Sequence, residues 1–88
     1  MNDCYVVYIL KCSDDTLYTG ITNDLYKRLL MHGQGKASKY TRCRLPVQLA
    51  YVEGDYTKGQ ALSREKAIKK LNRQKKLTLC AASEGICI

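Results

Sequence analysis

The sequence predicts an α+β domain, a three-stranded sheet in the order β-β-α-β-α with helices packed on the sheet. Three observations carry that prediction. Tyr5 to Cys12 is nearly all apolar and rich in β-branched and aromatic residues, as a central strand is. Thr16 to Thr22 alternates as a half-buried strand does. Ala61, Ile68 and Leu71 recur at helical spacing late in the chain. Eighty-eight residues build one core, so residues 1–88 are expected to form one domain, with its body at about 5–76 and a short C-terminal segment at 77–88.

Between the first two strands, Ser13-Asp14-Asp15 is a turn. Its length decides where two tyrosines point. A two-residue loop sets Tyr8 and Tyr18 on opposite faces, because side chains alternate. A three-residue loop pairs Leu10 with Tyr18 and Tyr8 with Gly20, which brings both hydroxyls to one face and leaves a gap at Gly20 for a ligand. Asn23 can cap a helix from Asp24 to His32, with Gly33 closing it at C′. Gly33 to Leu45 has no periodicity and reads as a basic loop. Pro46 opens a third strand, Val47 to Glu53, with Val47, Leu49 and Tyr51 on one face. A longer helix is expected from about Lys58 to Asn72, and a short last helix from Lys75 to Ala82.

Several classes are excluded. The longest apolar run, Cys4 to Leu10, falls far short of the roughly 20 residues a membrane span needs. No basic residue precedes that run and no small-residue cleavage site follows it, so neither a signal peptide nor a membrane partner is expected. Five cysteines without a C-x-x-C pair, beside a single histidine, fit no usual zinc spacing. They read as reduced thiols in an intracellular, reducing compartment, the cytoplasm or nucleus.

The charge of +7 is unevenly placed. Residues 27–44 carry Lys27, Arg28, Lys36, Lys39, Arg42 and Arg44 with no acid, and Tyr40 and Thr41 lie among them. Residues 58–76 carry eight cations, Lys69 among them, against Glu65 alone. Cations for phosphates and an aromatic for a base suit a nucleic-acid surface. The second block also suits a solvated helix face.

Three residues fit plain packing poorly. Glu65 lies about 40° from Ala61 and about 60° from Leu62 and Ile68 on the helical wheel, which puts a carboxylate on the apolar side. Such a group is paired with a neighbouring cation or holds a divalent metal. Arg28 and His32 stand four apart on the first helix, hence on one face. Together they make a phosphate clamp, while His32 alone suits a structural group near a helix end.

These residues resemble the GIY-YIG nuclease domain, most closely its small stand-alone members. The first motif is Val6-Val7-Tyr8 and the second Tyr18-Thr19-Gly20. The helix reads Asn23-Asp24-Leu25-Tyr26-Lys27-Arg28-Leu29 and then His32; the loop reads Lys39-Tyr40-Thr41-Arg42 before Pro46-Val47; the long helix carries Arg64-Glu65-Lys66. The resemblance covers residues 5 to about 76 and implies phosphodiester hydrolysis with one divalent cation, Mg²⁺ or Mn²⁺. It implies Glu65 as the metal ligand, and Arg28 as the cation on the pentacovalent phosphorane. Tyr8 and Tyr18 would be the tyrosines that activate or position water, and His32 an auxiliary proton-transfer group. Val6 and Thr19 depart from the family's Gly and Ile. The Asn that many active members carry a dozen residues beyond the glutamate falls near Leu77 here, and Asn72 comes too early.

The expected function is therefore a metal-dependent DNA endonuclease of low sequence specificity, structure- or single-strand-directed, with RNA left open as a substrate. Lys36, Lys39, Tyr40, Thr41, Arg42, Arg44 and Lys69 are the expected nucleic-acid contacts. The missing distal Asn keeps a second reading in play, a binding module on the same scaffold that hydrolyses little. A small adaptor whose basic face meets an acidic protein is a third.

Overall fold

A computed structural model describes residues 4–81. Its elements are β1 (Tyr5–Lys11), β2 (Leu17–Thr22), α1 (Leu25–Gly33), α2 (Lys39–Arg42), β3 (Gln48–Tyr56), α3 (Lys58–Lys69) and α4 (Arg73–Ala81). The sheet is antiparallel in the order β2-β1-β3. The β-β-α-β-α succession holds, with α2 added in the stretch expected to be loop and α4 where the short last helix was expected, beginning two residues earlier. The last residues of the predicted C-terminal segment, 82–88, lie outside the described residues.

β1 is central because both its neighbours need its backbone, and Val7, Tyr8, Ile9 and Leu10 are fully buried. One face of the sheet carries Val7, Ile9 and Tyr51 against Ala61 and Ile68 of α3, with Leu79 and Cys80 of α4 packed beside them. The other face carries Tyr8, Leu10 and Tyr18.

The hairpin between β1 and β2 closes with three residues. The Cys12 amide donates to the Thr16 carbonyl at 2.9 Å, and Asp15 takes the left-handed conformation at φ 67°. Asp14 steadies the turn by accepting from the Thr16 amide and hydroxyl. The resulting register sets Tyr8 opposite Gly20 and Leu10 opposite Tyr18, so both tyrosines share a face.

β3 departs from simple alternation. Leu49 pairs with Leu10 and Tyr51 with Ile9, so an extra residue at Ala50 places Leu49 and Tyr51 on opposite faces, against the sequence expectation. A second irregularity, with Asp55 at φ 66°, carries the strand on to Tyr56 and brings that residue to the face of Glu53.

Helix ends differ from the predicted ones for local reasons. Asp24, not Asn23, caps α1, its carboxylate accepting from the Lys27 amide. α1 closes two residues later than expected. Gly33 remains helical, while Gly35 takes φ +75° and the Gly35 and Lys36 amides return to the carbonyls of His32 and Met31, a Schellman closure. α3 starts with a reciprocal capping box between Thr57 and Gln60. The predicted long helix breaks at Lys70, because Asn72 turns its side chain to the Lys75 amide and caps α4.

Ile68 is fully buried between α3 and the sheet. Ile68→Ala should lower stability by about 2–5 kcal/mol, read by urea denaturation as a fall in midpoint at constant slope.

Candidate active site

The site lies on the Tyr8 face of the sheet. The Tyr8 hydroxyl and His32 Nε2 stand 2.9 Å apart, and His32 Nδ1 and Thr41 Oγ1 another 2.9 Å. Tyr8, His32 and Thr41 are all fully buried. β1 supplies the phenol, the last turn of α1 the imidazole, and α2 the threonine. The tyrosine and histidine rings meet edge-on, with centroids 5.7 Å apart for Tyr8 and 5.4 Å for Tyr18. The two tyrosine centroids are 6.5 Å apart.

Gly20 makes this possible. A Cβ there would stand 2.7 Å from the Tyr8 hydroxyl and 3.2 Å from the Tyr18 ring. The gap expected for a ligand at Gly20 is thus filled by Tyr8 itself, a correction that follows from the size of the phenol.

Arg28, one turn before His32, faces the same phenol. Burial pushes the Tyr8 pKa above its ordinary 10.0, the guanidinium of Arg28 opposes that rise, and the charges of Tyr18 and Glu65 add to it. Glu65 therefore acts on Tyr8 through space, although it stands on α3. Burial first and Arg28 second hold the His32 pKa below its ordinary 6.5, so the imidazole is neutral at pH 7. The Arg28 Nε is buried and has no hydrogen-bond partner among the described residues. A donor left unmet in this way is what an incoming oxyanion would satisfy.

Glu65 is 18% exposed, and its Oε2 pairs with Lys69 Nζ at 3.3 Å, the neighbouring-cation pairing its position foresaw. No partner reaches the other oxygen among the described residues. No three His, Cys, Asp or Glu side chains gather to hold a metal among the described residues. A lone carboxylate with one open oxygen fits a hard dication that keeps most of its water and shares a substrate phosphate; it does not fit a cation caged by protein alone.

The predicted contact residues divide. Lys36, Lys39, Tyr40 and Arg42 are exposed around α2. Tyr40 stacks on Tyr18 with centroids 5.8 Å apart, and the Arg44 guanidinium lies 4.0 Å over the Tyr40 ring while pairing with Asp14. Lys69 is held by Glu65. Thr41 is a correction: it is fully buried beneath that surface, turned inward to His32 by the single helical turn of α2. A polar cavity of about 300 Å³, lined by Thr22, Asn23, Asp24, Lys27, Arg28 and Met31, adjoins Arg28 on its outer side.

Sequence reasoning missed two groups. The role of Thr41 carried no periodic signal. Glu53 accepts from Tyr51, Tyr56 and Arg64. Burial alone would raise its pKa, but those hydrogen bonds hold it below the usual carboxylate range, and burial with the Glu53 contact pushes Tyr51 up to about 12. The shared face of Tyr51 and Glu53 was readable from strand alternation; Tyr56 joins them only through the bulge.

The GIY-YIG catalytic domain, as a sequence family, matches residues 4–78. The chain belongs to the GIY-YIG family. It is 51% identical over 83 residues to a UPF0213 protein of Staphylococcus saprophyticus, covering 94% of this chain and 99% of that one. A UPF0213 protein of Haloquadratum walsbyi is likewise 51% identical, over 97% of this chain and 93% of its own length. The solution NMR structure of a UPF0213 protein from Bacillus halodurans has TM-score 0.60 at 38% identity, with 94% of this chain and 88% of that one covered. An NMR structure from E. faecalis has TM-score 0.63 at 32% identity, over 92% and 86%. This GIY-YIG chain is thus a small single-domain member with a nuclease-type fold, and the family implies a nucleic-acid substrate. Among the described residues no helix is long and apolar enough to cross a membrane.

The neutral, buried His32 ties stability to pH. The unfolded chain, with an ordinary histidine pKa near 6.5, binds the proton more readily than the folded one. The contribution is complete above pH 6.5 and is lost as pH falls through the lowered folded value. The melting temperature of wild type should drop between pH 7 and pH 5, and His32→Gln should flatten that slope; equal slopes would place the titrating group elsewhere.

Proposed function

We propose that this chain hydrolyses phosphodiester bonds in DNA, assisted by one divalent cation, Mg²⁺ or Mn²⁺, with low sequence specificity. The observation that carries the proposal is Arg28, whose buried, unpaired Nε stands beside a neutral Tyr8–His32 pair with a half-committed carboxylate, Glu65, acting on the same phenol. Exposed Lys36, Lys39 and Arg42 supply the phosphate contacts, and the polar cavity at Lys27 leaves room for the strand beyond Arg28. Few side chains remain to read base edges.

In the free protein Tyr8 is covered. A phosphate oxygen entering the site satisfies the Arg28 guanidinium in a bidentate contact and draws it off the phenol. Water can then reach the Tyr8 oxygen. As the water oxygen bonds to phosphorus, its proton passes to the Tyr8 oxygen, and the Tyr8 proton passes to His32 Nε2. The phosphorane loses its far oxygen, which takes a proton from solvent. A phenol is a poor base by itself at pH 7; a neutral imidazole at 2.9 Å makes the transfer feasible because the phenolate is never fully formed. Arg28 meanwhile stabilises the charge gathering on the non-bridging oxygens. Glu65 would hold the cation, whose chemistry there is Lewis-acid polarisation of the phosphate. Tyr18, half-buried beside His32, borders the entrance and aligns the water.

A second reading has its own support. Tyr8 is wholly covered, Glu65 is already paired with Lys69, and Asn72 serves as a helix cap. A scaffold that binds nucleic acid and hydrolyses little would look the same before substrate enters.

Cleavage of single-stranded, nicked and branched DNA with Mg²⁺ or Mn²⁺ separates them. Wild type should cut, while Arg28→Ala and Glu65→Ala should each lose about 100-fold or more in rate and keep salt-sensitive binding. Equal cutting by wild type and Glu65→Ala contradicts the catalytic assignment, and binding without cutting favours the second reading.

A further inference from the structure

We infer that Thr41 is a positioning residue for this site: its hydroxyl fixes the proton of His32 on Nδ1 and so turns the Tyr8 proton toward Nε2. The effect on turnover rests on the phosphodiester reading above; the protonation pattern does not.

The argument is a count of donors and acceptors. Tyr8, a neutral His32 and Thr41 each have one polar proton to give, and all three are fully buried. Two arrangements of the chain exist. In the first, Tyr8 donates to Nε2, Nδ1–H donates to Thr41 Oγ1, and the Thr41 hydroxyl donates to the Ser38 carbonyl at 3.4 Å. Every proton then has an acceptor. In the second, Thr41 donates to Nδ1 and Nε2–H donates to the Tyr8 oxygen. The Tyr8 proton is then stranded. The other group bonded to the phenol is the Arg28 guanidinium, which only donates, while Tyr18 and Glu65 act on it through charge alone. While Thr41 accepts from Nδ1–H, only the second arrangement strands a proton, and the first is selected; without that acceptor each arrangement strands one.

The local structure exists to hold this hydroxyl. α2 is a single turn, Lys39–Arg42, started by Ser38, whose side chain accepts from the Tyr40 amide. Thr41 falls three residues after that cap, where a threonine hydroxyl can reach back to the cap carbonyl. The same turn sends Tyr40 outward onto Tyr18. α2 is thus pinned on its outer side by stacking and reads the histidine on its inner side. With the tautomer set, Nε2 is a lone pair facing the phenol, the one state in which His32 can accept a proton from Tyr8.

His32 is the chain's sole histidine, so its ring nitrogens can be observed without ambiguity by long-range proton–nitrogen NMR. The wild-type protein should show Nδ1 protonated and Nε2 bare at pH 7.5. Thr41→Ser should preserve that pattern, and Thr41→Val should lose it, with Nε2–H appearing. In DNA cleavage, Thr41→Val should lower kcat by tenfold or more with KM within twofold, and Thr41→Ser should restore it. A wild-type ring protonated on Nε2, or a folded Thr41→Val variant with an unchanged tautomer, overturns the inference. Should the valine variant fail to fold, the wild-type and serine spectra still decide it. Absence of cleavage by wild type alongside the expected tautomer would sink the nuclease reading and leave the role of Thr41 standing.

Discussion

The Tyr8 hydroxyl occupies the space that any side chain at position 20 would fill, and the remaining polar groups of the site are arranged around that phenol. The constraint originates in three residues of turn. Because Ser13 to Asp15 close the hairpin with Asp15 in the left-handed region, Tyr8 faces Gly20 and Tyr18 sits one pair away on the same side. One residue fewer would send Tyr18 to the opposite face, the one that carries Ile9 and packs on Ala61, and away from Tyr8. From this register follow the edge-on contacts to His32, the stacking of Tyr40 on Tyr18, and the seat of Thr41 behind the imidazole.

Two carboxylates show how the same chemistry serves structure in one place and a site in another. Glu53 is saturated by two tyrosines and Arg64, all its acceptor capacity spent within the fold. It behaves as a joint between β3 and α3. Among the described residues Glu65 has one partner, the half-exposed Lys69, and one open oxygen. Surface pairs of that kind contribute about 1 kcal/mol or less, so an incoming dication or phosphate can displace it easily. Arg28 differs from Arg64 in the same way: Arg64 is bound to Glu53, whereas the Arg28 Nε has no partner among the described residues.

Much of this was legible in the residues. The apolar run of β1 and the alternation of β2 gave the two strands, but left the face of the tyrosines to the loop length, which the structure sets at three residues. The wheel position of Glu65, with its cationic neighbour, and the four-residue spacing of Arg28 and His32 were readable too. What escaped had no periodic signature. α2 is one turn long, too short for amphipathic spacing, so Thr41 looked like one more polar residue in a basic loop. The bulges of β3 are set by its pairing with β1, which is why Leu49 was expected beside Tyr51 and Tyr56 was not expected beside Glu53. Asn23 and Asp24 are both good caps, and only the backbone path shows which one accepts from Lys27. Gly33 and Gly35 both suit a helix end, and the Schellman bonds select the later one.

The central claim is that Tyr8, Arg28, His32 and Glu65 form one phosphodiester site with room for a single dication. Paramagnetic broadening of NMR signals by Mn²⁺, in the presence of a short phosphorothioate oligonucleotide that resists cleavage, tests it most directly. The account predicts broadening centred on Glu65 and spreading to Tyr8, Arg28 and His32, and predicts that it vanishes in Glu65→Gln. Broadening centred on Asp14 and Asp15, or unchanged by Glu65→Gln, would contradict it.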